Sequence, residues 1–199
     1  MDYADTKEMA DRLGLRFDPG QNYSFADNYG FLPYLSQGGN RYAFNILSGR
    51  CRQSEVLAFD YHYELSGKGA DHELHSVHRC LTTAMVLMPG YFPELRIAPK
   101  GLLSKIAEAL GEEEIHFESA EFTGAFRVRS KDKRFAFDVC NGRVIDYLLE
   151  HRDLNLHVQR CVLALVSDAR WPARQVEVNL QRLVEIRSRL PEYLFTQNT

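Results

Sequence analysis

The spacing of apolar residues changes period several times along the chain, and the changes divide it into elements. Tyr42, Phe44 and Ile46 alternate with Ala43, Asn45 and Leu47, the period of two that a half-buried strand requires. Ser48-Gly49-Arg50 turns the chain into a second strand, VLAFDYHYEL, residues 56–65. The turn-rich segment from Ser66 to Asp71 joins it to a third, HELHSVHRCLTTAMVLM, residues 72–88. Three antiparallel strands in chain order follow, with a long hairpin at their centre. Leu95-Arg96-Ile97 predicts a further short strand that runs to Pro99 and Gly101.

Helical spacing appears elsewhere. Met9, Ala10 and Leu13 share a face of a short first helix that Asp5 or Thr6 can cap and Gly14 ends. Leu102, Leu103, Ile106, Ala107 and Leu110 predict a second helix, stopped by Gly111. Residues 115–117 and 125–129 read as strands, and Phe135, Phe137 and Val139 lead into a helix from about Asn141 to Glu150 that carries Val144, Ile145, Leu148 and Leu149. Residues 155–167 have the pattern of a β-hairpin around Gln159-Arg160. The last helix opens at Trp171-Pro172 and places Val176, Leu180, Leu183, Ile186 and Leu190 along one stripe. The order of elements predicts an α+β fold: an antiparallel β-sheet with a long central hairpin, packed against helices that include an amphipathic C-terminal one. Residues 1–199 are expected to form one domain. Within it, the helix and aromatic loop of residues 1–40 lie on the sheet, Tyr23, Phe25, Tyr29, Phe31 and Tyr34 covering core rather than forming a stacking platform.

Composition narrows the function classes. An apolar fraction of 45 % and a charged fraction of 26 % belong to an ordinary globular chain. With 24 Lys and Arg against 27 Asp and Glu, no net positive field draws it to nucleic acid. No segment approaches the length of a membrane span and the amino terminus has no export signal, so the expected location is cytoplasmic. Cys51, Cys80, Cys140 and Cys161 are too far apart for a C-x-x-C pair and read as buried, reduced thiols.

Candidate chemistry concentrates in the hairpin. His72, His75 and His78 form H-x-x-H-x-x-H, but on a strand residues three apart point to opposite faces, and His72 and His78 stand about 20 Å apart. A turn symmetric about Lys68 and Gly69 would instead set His62 opposite His75 and Glu64 opposite Glu73, with Asp60 on the same face. His62, His75, Asp60, Glu64 and Glu73 would then form a patch able to hold a divalent metal or move protons. A single-residue slip in register would scatter it. Ser66-Gly67-Lys68-Gly69 lacks the upstream glycine and the following Ser or Thr of a phosphate-binding loop, and His72-Glu73-Leu74-His75 lacks the spacing and helix of a zincin motif. The dense basic run Arg127, Arg129, Lys131, Lys133 and Arg134 reads as a charged sheet edge, or as a site for an anion, an acidic partner or an anionic membrane surface.

Phe126-Arg127-Val128-Arg129-Ser130-Lys131-Asp132, preceded by Glu121-Phe122 and followed by the apolar helix ending in Leu148-Leu149, resembles an uncharacterised bacterial family, a domain of unknown function with an F-x-V-x-S-x-D strand and turn. The strand Phe59-Asp60-Tyr61-His62-Tyr63 followed by Ser66-Gly67 is similar to its upstream half. The resemblance touches roughly residues 41–167. It implies bacterial origin and an α+β domain, with no activity to carry over; many relatives look membrane-anchored, whereas this sequence is expected to depart from them in lacking such a segment. Ser130 and Asp132 are expected to cap the turn while Phe126 and Val128 face the core. The expectation for function is a non-catalytic domain that binds a protein partner, without a cofactor. The alternatives are a metal-dependent or acid–base hydrolytic enzyme at the His62/His75 face, and a peripheral binder of anionic membranes.

Overall fold

The computed structural model describes residues 1–68, 74–101, 113–167 and 169–196. Its framework is an antiparallel sheet of seven strands: β1 (Arg16–Asp18), β2 (Gly39–Cys51), β3 (Ser54–Lys68), β4 (Leu74–Pro99), β5 (Glu114–Ile115), β6 (Phe126–Ser130) and β7 (Leu156–Val166). The strand order is β1-β2-β3-β4-β6-β5, and β7 also pairs with β4. Around it lie α1 (Tyr3–Leu13), α2 (Tyr23–Asp27), α3 (Ala120–Ala125), α4 (Lys133–Val139), α5 (Gly142–Glu150), α6 (Ala173–Arg189), α7 (Tyr193–Thr196) and a 3-10 turn at Pro33–Leu35. The fold is α+β, as the order of elements predicts.

Strand alternation divides the side chains between two cores. Val56 and Ala58 of β3, Ala84 and Val86 of β4 and Leu163 and Leu165 of β7 face one side, where Val176, Leu180, Leu183 and Ile186 of α6 cover them together with α1, α4, α5 and α7. Leu57, Phe59 and Tyr61 of β3, Met85 of β4 and Val162 and Ala164 of β7 face the other, under Leu32, Tyr34 and Leu35. Phe25 and Tyr29 pack on Phe59 at centroid distances of 5.3 and 6.3 Å, and the Tyr61 hydroxyl donates to the Leu35 carbonyl at 2.7 Å. The aromatic loop is thus a lid over the second core; Tyr23 alone among its five named rings stands largely exposed.

Several boundaries differ from the sequence expectations, each for a physical reason. The cap of α1 is Asp2, which accepts from the amides of Ala4 and Asp5, and Gly14 ends the helix at φ 66°. Pro89-Gly90 does not end the third strand: β4 runs through it to Pro99, with Gly90 at φ 111° inside an irregularity between the Leu87 and Phe92 pairings. Residues 156–166 form one strand rather than a hairpin, because both halves pair with β4 and Arg160 at φ 52° marks a bulge. Phe135 and Val139 belong to α4, capped by Asp132, whose carboxylate accepts from the Phe135 amide at 2.9 Å. Ser130 accepts from the Asp132 amide at 3.1 Å and Phe126 and Val128 are buried, as the strand-and-turn motif implies. Asn141 caps α5 at the expected place. The helix expected over Leu102–Leu110 lies outside the described residues; of the turn expected from Ser66 to Asp71, Ser66–Lys68 instead continue β3, paired with Leu74–Ser76, and the remainder lies outside the described residues.

Among the cysteines, Cys140 is buried, Cys51 and Cys80 are half-buried and Cys161, beside the Arg160 bulge, is exposed, so burial of all four thiols does not hold.

Candidate functional site

The hairpin register differs from the symmetric-turn expectation and rearranges the candidate patch. Glu64 pairs with His78, His62 with Cys80, and Gly67 with His75. The register is set far from the turn, where apolar partners match on both faces: Val56 with Val86, Ala58 with Ala84, Leu57 with Met85 and Tyr61 with Leu81. It replaces His75 by His78 beside His62 and Glu64. Glu73 lies outside the described residues.

Three ligand-type side chains now meet. His62 Nε2 is 3.1 Å from His78 Nδ1, and His78 Nδ1 is 3.4 Å from Glu64 Oε1. One ligand atom from each of His62, Glu64 and His78 lies within 4.8 Å of the others. His62 is buried and stacks on Tyr42 at 4.5 Å, whereas the His78 side chain is 65 % exposed. Asn40 supports both β3 residues: its carbonyl lies 3.2 Å from His62 Nδ1, and its Nδ2 donates to Glu64 Oε1 at 2.6 Å. It does so from φ 45°, a left-handed conformation that asparagine tolerates better than most residues. Ser76 donates to Glu64 Oε2 at 2.9 Å. The hydrogen bond from Asn40, and then that from Ser76, holds the Glu64 carboxyl below the usual range and keeps it ionised.

Asp60 shares this face but serves a different purpose. It is fully buried, and its Oδ1 accepts from Thr82 Oγ1 at 2.6 Å while Oδ2 receives Asn45 Nδ2 at 3.0 Å, Arg170 and the amino group of Met1. With those donors around both oxygens, Asp60 anchors the chain beneath the patch.

The basic run is spread over two elements. Arg127 and Arg129 project from β6, which lies between β4 and β5 and so is not a sheet edge. Arg127 Nε donates to Glu114 at 3.3 Å and Lys133 Nζ to Glu113 at the same distance, so acidic neighbours neutralise part of the run. Lys131, Lys133 and Arg134 are exposed about the start of α4.

A second polar group, invisible in the residue pattern, lies under the aromatic lid. Arg96 of β4 binds Glu94 through Nε at 2.8 Å and through an Nη nitrogen at 2.6 Å. His157 of β7 is buried beside it, edge-on to Tyr34 at 5.2 Å. Burial, and then the positive charge of Arg96, push the His157 imidazole down to about 3, so it is neutral. Burial pushes the Tyr34 phenol up. Both are core residues held away from water. On the other side of the sheet a cleft of about 500 Å³ between the ends of β7 and α6 is bordered by Asn155, Ser167, Trp171, Gln175 and Asn179.

Among the described residues no helix is long and apolar enough to cross a membrane. No family model matches the chain, and no curated protein matches it. The crystal structure of the mycobacterial trehalose monomycolate transport factor A, TtfA, superposes with a TM-score of 0.67 over 94 % of this chain and 95 % of that one, at 15 % sequence identity. At that identity the likeness is one of fold, and it extends over nearly the whole of both chains.

Proposed function

We propose that this domain is a non-catalytic accessory factor that holds a protein partner through the outer part of the β3–β4 ribbon. The observation that supports this reading is an apolar stripe that outruns its cover. Phe59 and Tyr61 lie beneath the aromatic lid and Tyr63 stacks on Tyr61 at 5.7 Å, but Leu65 and Val77, directly opposed across the ribbon, are 39 % and 44 % exposed. The pairing of β3 with β2 stops at Glu64, and that of β4 with β7 starts at Thr83. The Thr82 amide and carbonyl still bond to Ala169 and Ser167, and the ribbon beyond Thr82 and Glu64 shows no further strand pairing on either outer edge among the described residues, the geometry on which a partner can add a strand. A partner laying an apolar segment on Leu65 and Val77 would continue what the lid does over Tyr61.

The fold neighbour's description as a transport factor agrees with an accessory role and supplies no catalytic residue. On this reading bacterial origin and kinship with the uncharacterised F-x-V-x-S-x-D family are part of the proposal, as is a location where such an assembly works.

The test is a photo-crosslinking residue at position 65 or 77, expressed in the source cell, followed by reconstitution of the crosslinked pair from purified proteins. Binding in reconstitution that falls at least tenfold in Leu65→Asp and Val77→Asp, with the fold intact by circular dichroism, supports the proposal. Crosslinks absent at both positions, or an affinity unchanged by both substitutions, overturns it.

A further inference from the structure

We propose that His62, Glu64 and His78 form a three-ligand site for a divalent transition ion of the zinc type, which staples β3 to β4 at the root of the ribbon. Four observations converge on this site.

The first is spacing. Bonds of 2.0–2.1 Å at tetrahedral angles set neighbouring donor atoms roughly 3.3 Å apart. His62 Nε2 to His78 Nδ1 at 3.1 Å and His78 Nδ1 to Glu64 Oε1 at 3.4 Å bracket that value. One ligand atom from each of the three side chains lies within 4.8 Å of the others, a span that side-chain rotation can adjust.

The second is tautomer. The Asn40 carbonyl can only accept, so His62 Nδ1 carries the proton and Nε2 presents its lone pair to the centre of the group. A backbone carbonyl receiving the distal N–H is the arrangement that orients histidines bound to metal. In the metal-free group His78 Nδ1–H donates to that lone pair. Coordination through His78 Nδ1 requires the tautomer of that ring that carries its proton on Nε2.

The third is preorganisation. Both oxygens of Glu64 are already held, one by Asn40 and one by Ser76, and His62 is pinned against Tyr42. Asn40 therefore orients two of the three ligands, one through its backbone and one through its side chain.

The fourth is access. His62 forms a buried floor while His78 stands open to solvent, leaving a coordination position for water or for a side chain brought by a partner. Two imidazoles and a carboxylate suit zinc and its neighbours better than calcium or magnesium, which take oxygen.

The experiment is titration of the chelator-treated protein with Co(II), read by its visible absorption, and with Zn(II), read by calorimetry. The wild type is expected to bind one equivalent with a tetrahedral Co(II) spectrum. His78→Ala, at an exposed position where the fold is not at risk, abolishes binding, as does His62→Ala. Glu64→Gln weakens it, Asn40→Ala lowers affinity ten- to a hundredfold in the manner of residues that orient ligands, and His75→Ala leaves it unchanged. Absence of saturable binding in the wild type, or undiminished binding in His78→Ala, overturns the proposal. Because the readout is the metal itself, it is independent of any protein partner.

Discussion

Arg170, in the segment leading into α6, donates to Asp60 of β3 through both Nε, at 3.2 Å, and an Nη nitrogen, at 3.0 Å, across 110 residues of chain. The Asp60 side chain has no exposure at all, while that of Arg170 is 43 % exposed. The two partners are therefore unequal: removing the carboxylate strands several buried donors, whereas removing the guanidinium leaves the carboxylate its other donors.

Asp60→Ala is accordingly expected to lose about 3 kcal/mol of unfolding free energy, the magnitude typical of a broken buried charge network. Arg170→Ala should lose about 1 kcal/mol. Urea denaturation of both variants checks the ranking, and equal losses would mean that the network shares its energy differently.

The neutral, buried state of His157 predicts a pH dependence. Its imidazole is held down to about 3 in the folded chain against an ordinary 6.5, so below 6.5 the unfolded chain binds a proton that the folded chain refuses. The contribution of neutral His157 to stability is complete above pH 6.5 and is lost as pH falls toward 3, at about 1 kcal/mol per pH unit. In His157→Leu the wild-type slope of unfolding free energy between pH 6 and 4 should fall by nearly one proton; an unchanged slope would place the acid sensitivity elsewhere.

Gly38 and Gly39 predict opposite outcomes from neighbouring positions. At Gly38, with φ 66°, an added Cβ would lie 2.3 Å from the Glu64 carbonyl oxygen, whereas at Gly39 nothing lies within 4 Å. Gly38→Ala should cost at least about 2 kcal/mol, combining a strained φ with a backbone clash. It should also lift Asn40 away from His62 and Glu64. Gly39→Ala should stay within about 0.5 kcal/mol. Denaturation curves together with the ring-nitrogen chemical shifts of His62 distinguish the two.

Local rules made much of the fold legible. The stripe from Val176 to Leu190 gives α6 nearly to the residue, Asn141 announces α5, and Ser130 with Asp132 announces the turn into α4. Local rules failed where a distant partner decides. Arg160 looks like the tip of a hairpin, yet β4 offers both halves of residues 156–166 one continuous neighbour. Pro89-Gly90 looks like a stop, yet the strand absorbs it as a bulge because it has pairings to resume beyond it.

The candidate site was half legible for the same reason. Strand parity correctly groups Asp60, His62 and Glu64 on one face, since it needs only the period of two. The opposing residue depends on register, which is settled by apolar matches around Ala58 and Ala84 rather than by the glycines near the turn. His78 was visible only as one member of a histidine repeat. Asn40, which orients two candidate ligands, carried no signal at all, because its role depends on a left-handed backbone conformation.

The length of β4 also governs the order in which this protein can be made. The strand finds β3 already synthesised when it leaves the ribosome, but its other neighbours, β6 and β7, are Phe126–Ser130 and Leu156–Val166. Until those arrive, the Thr83–Leu87 edge of the nascent chain stands open, and Ala84 and Val86 face a side not yet covered by α6. Pairings of such long sequence separation form late and slowly. The edge of this central strand is consequently the part of the sheet left open longest to wrong pairing while the chain is being made.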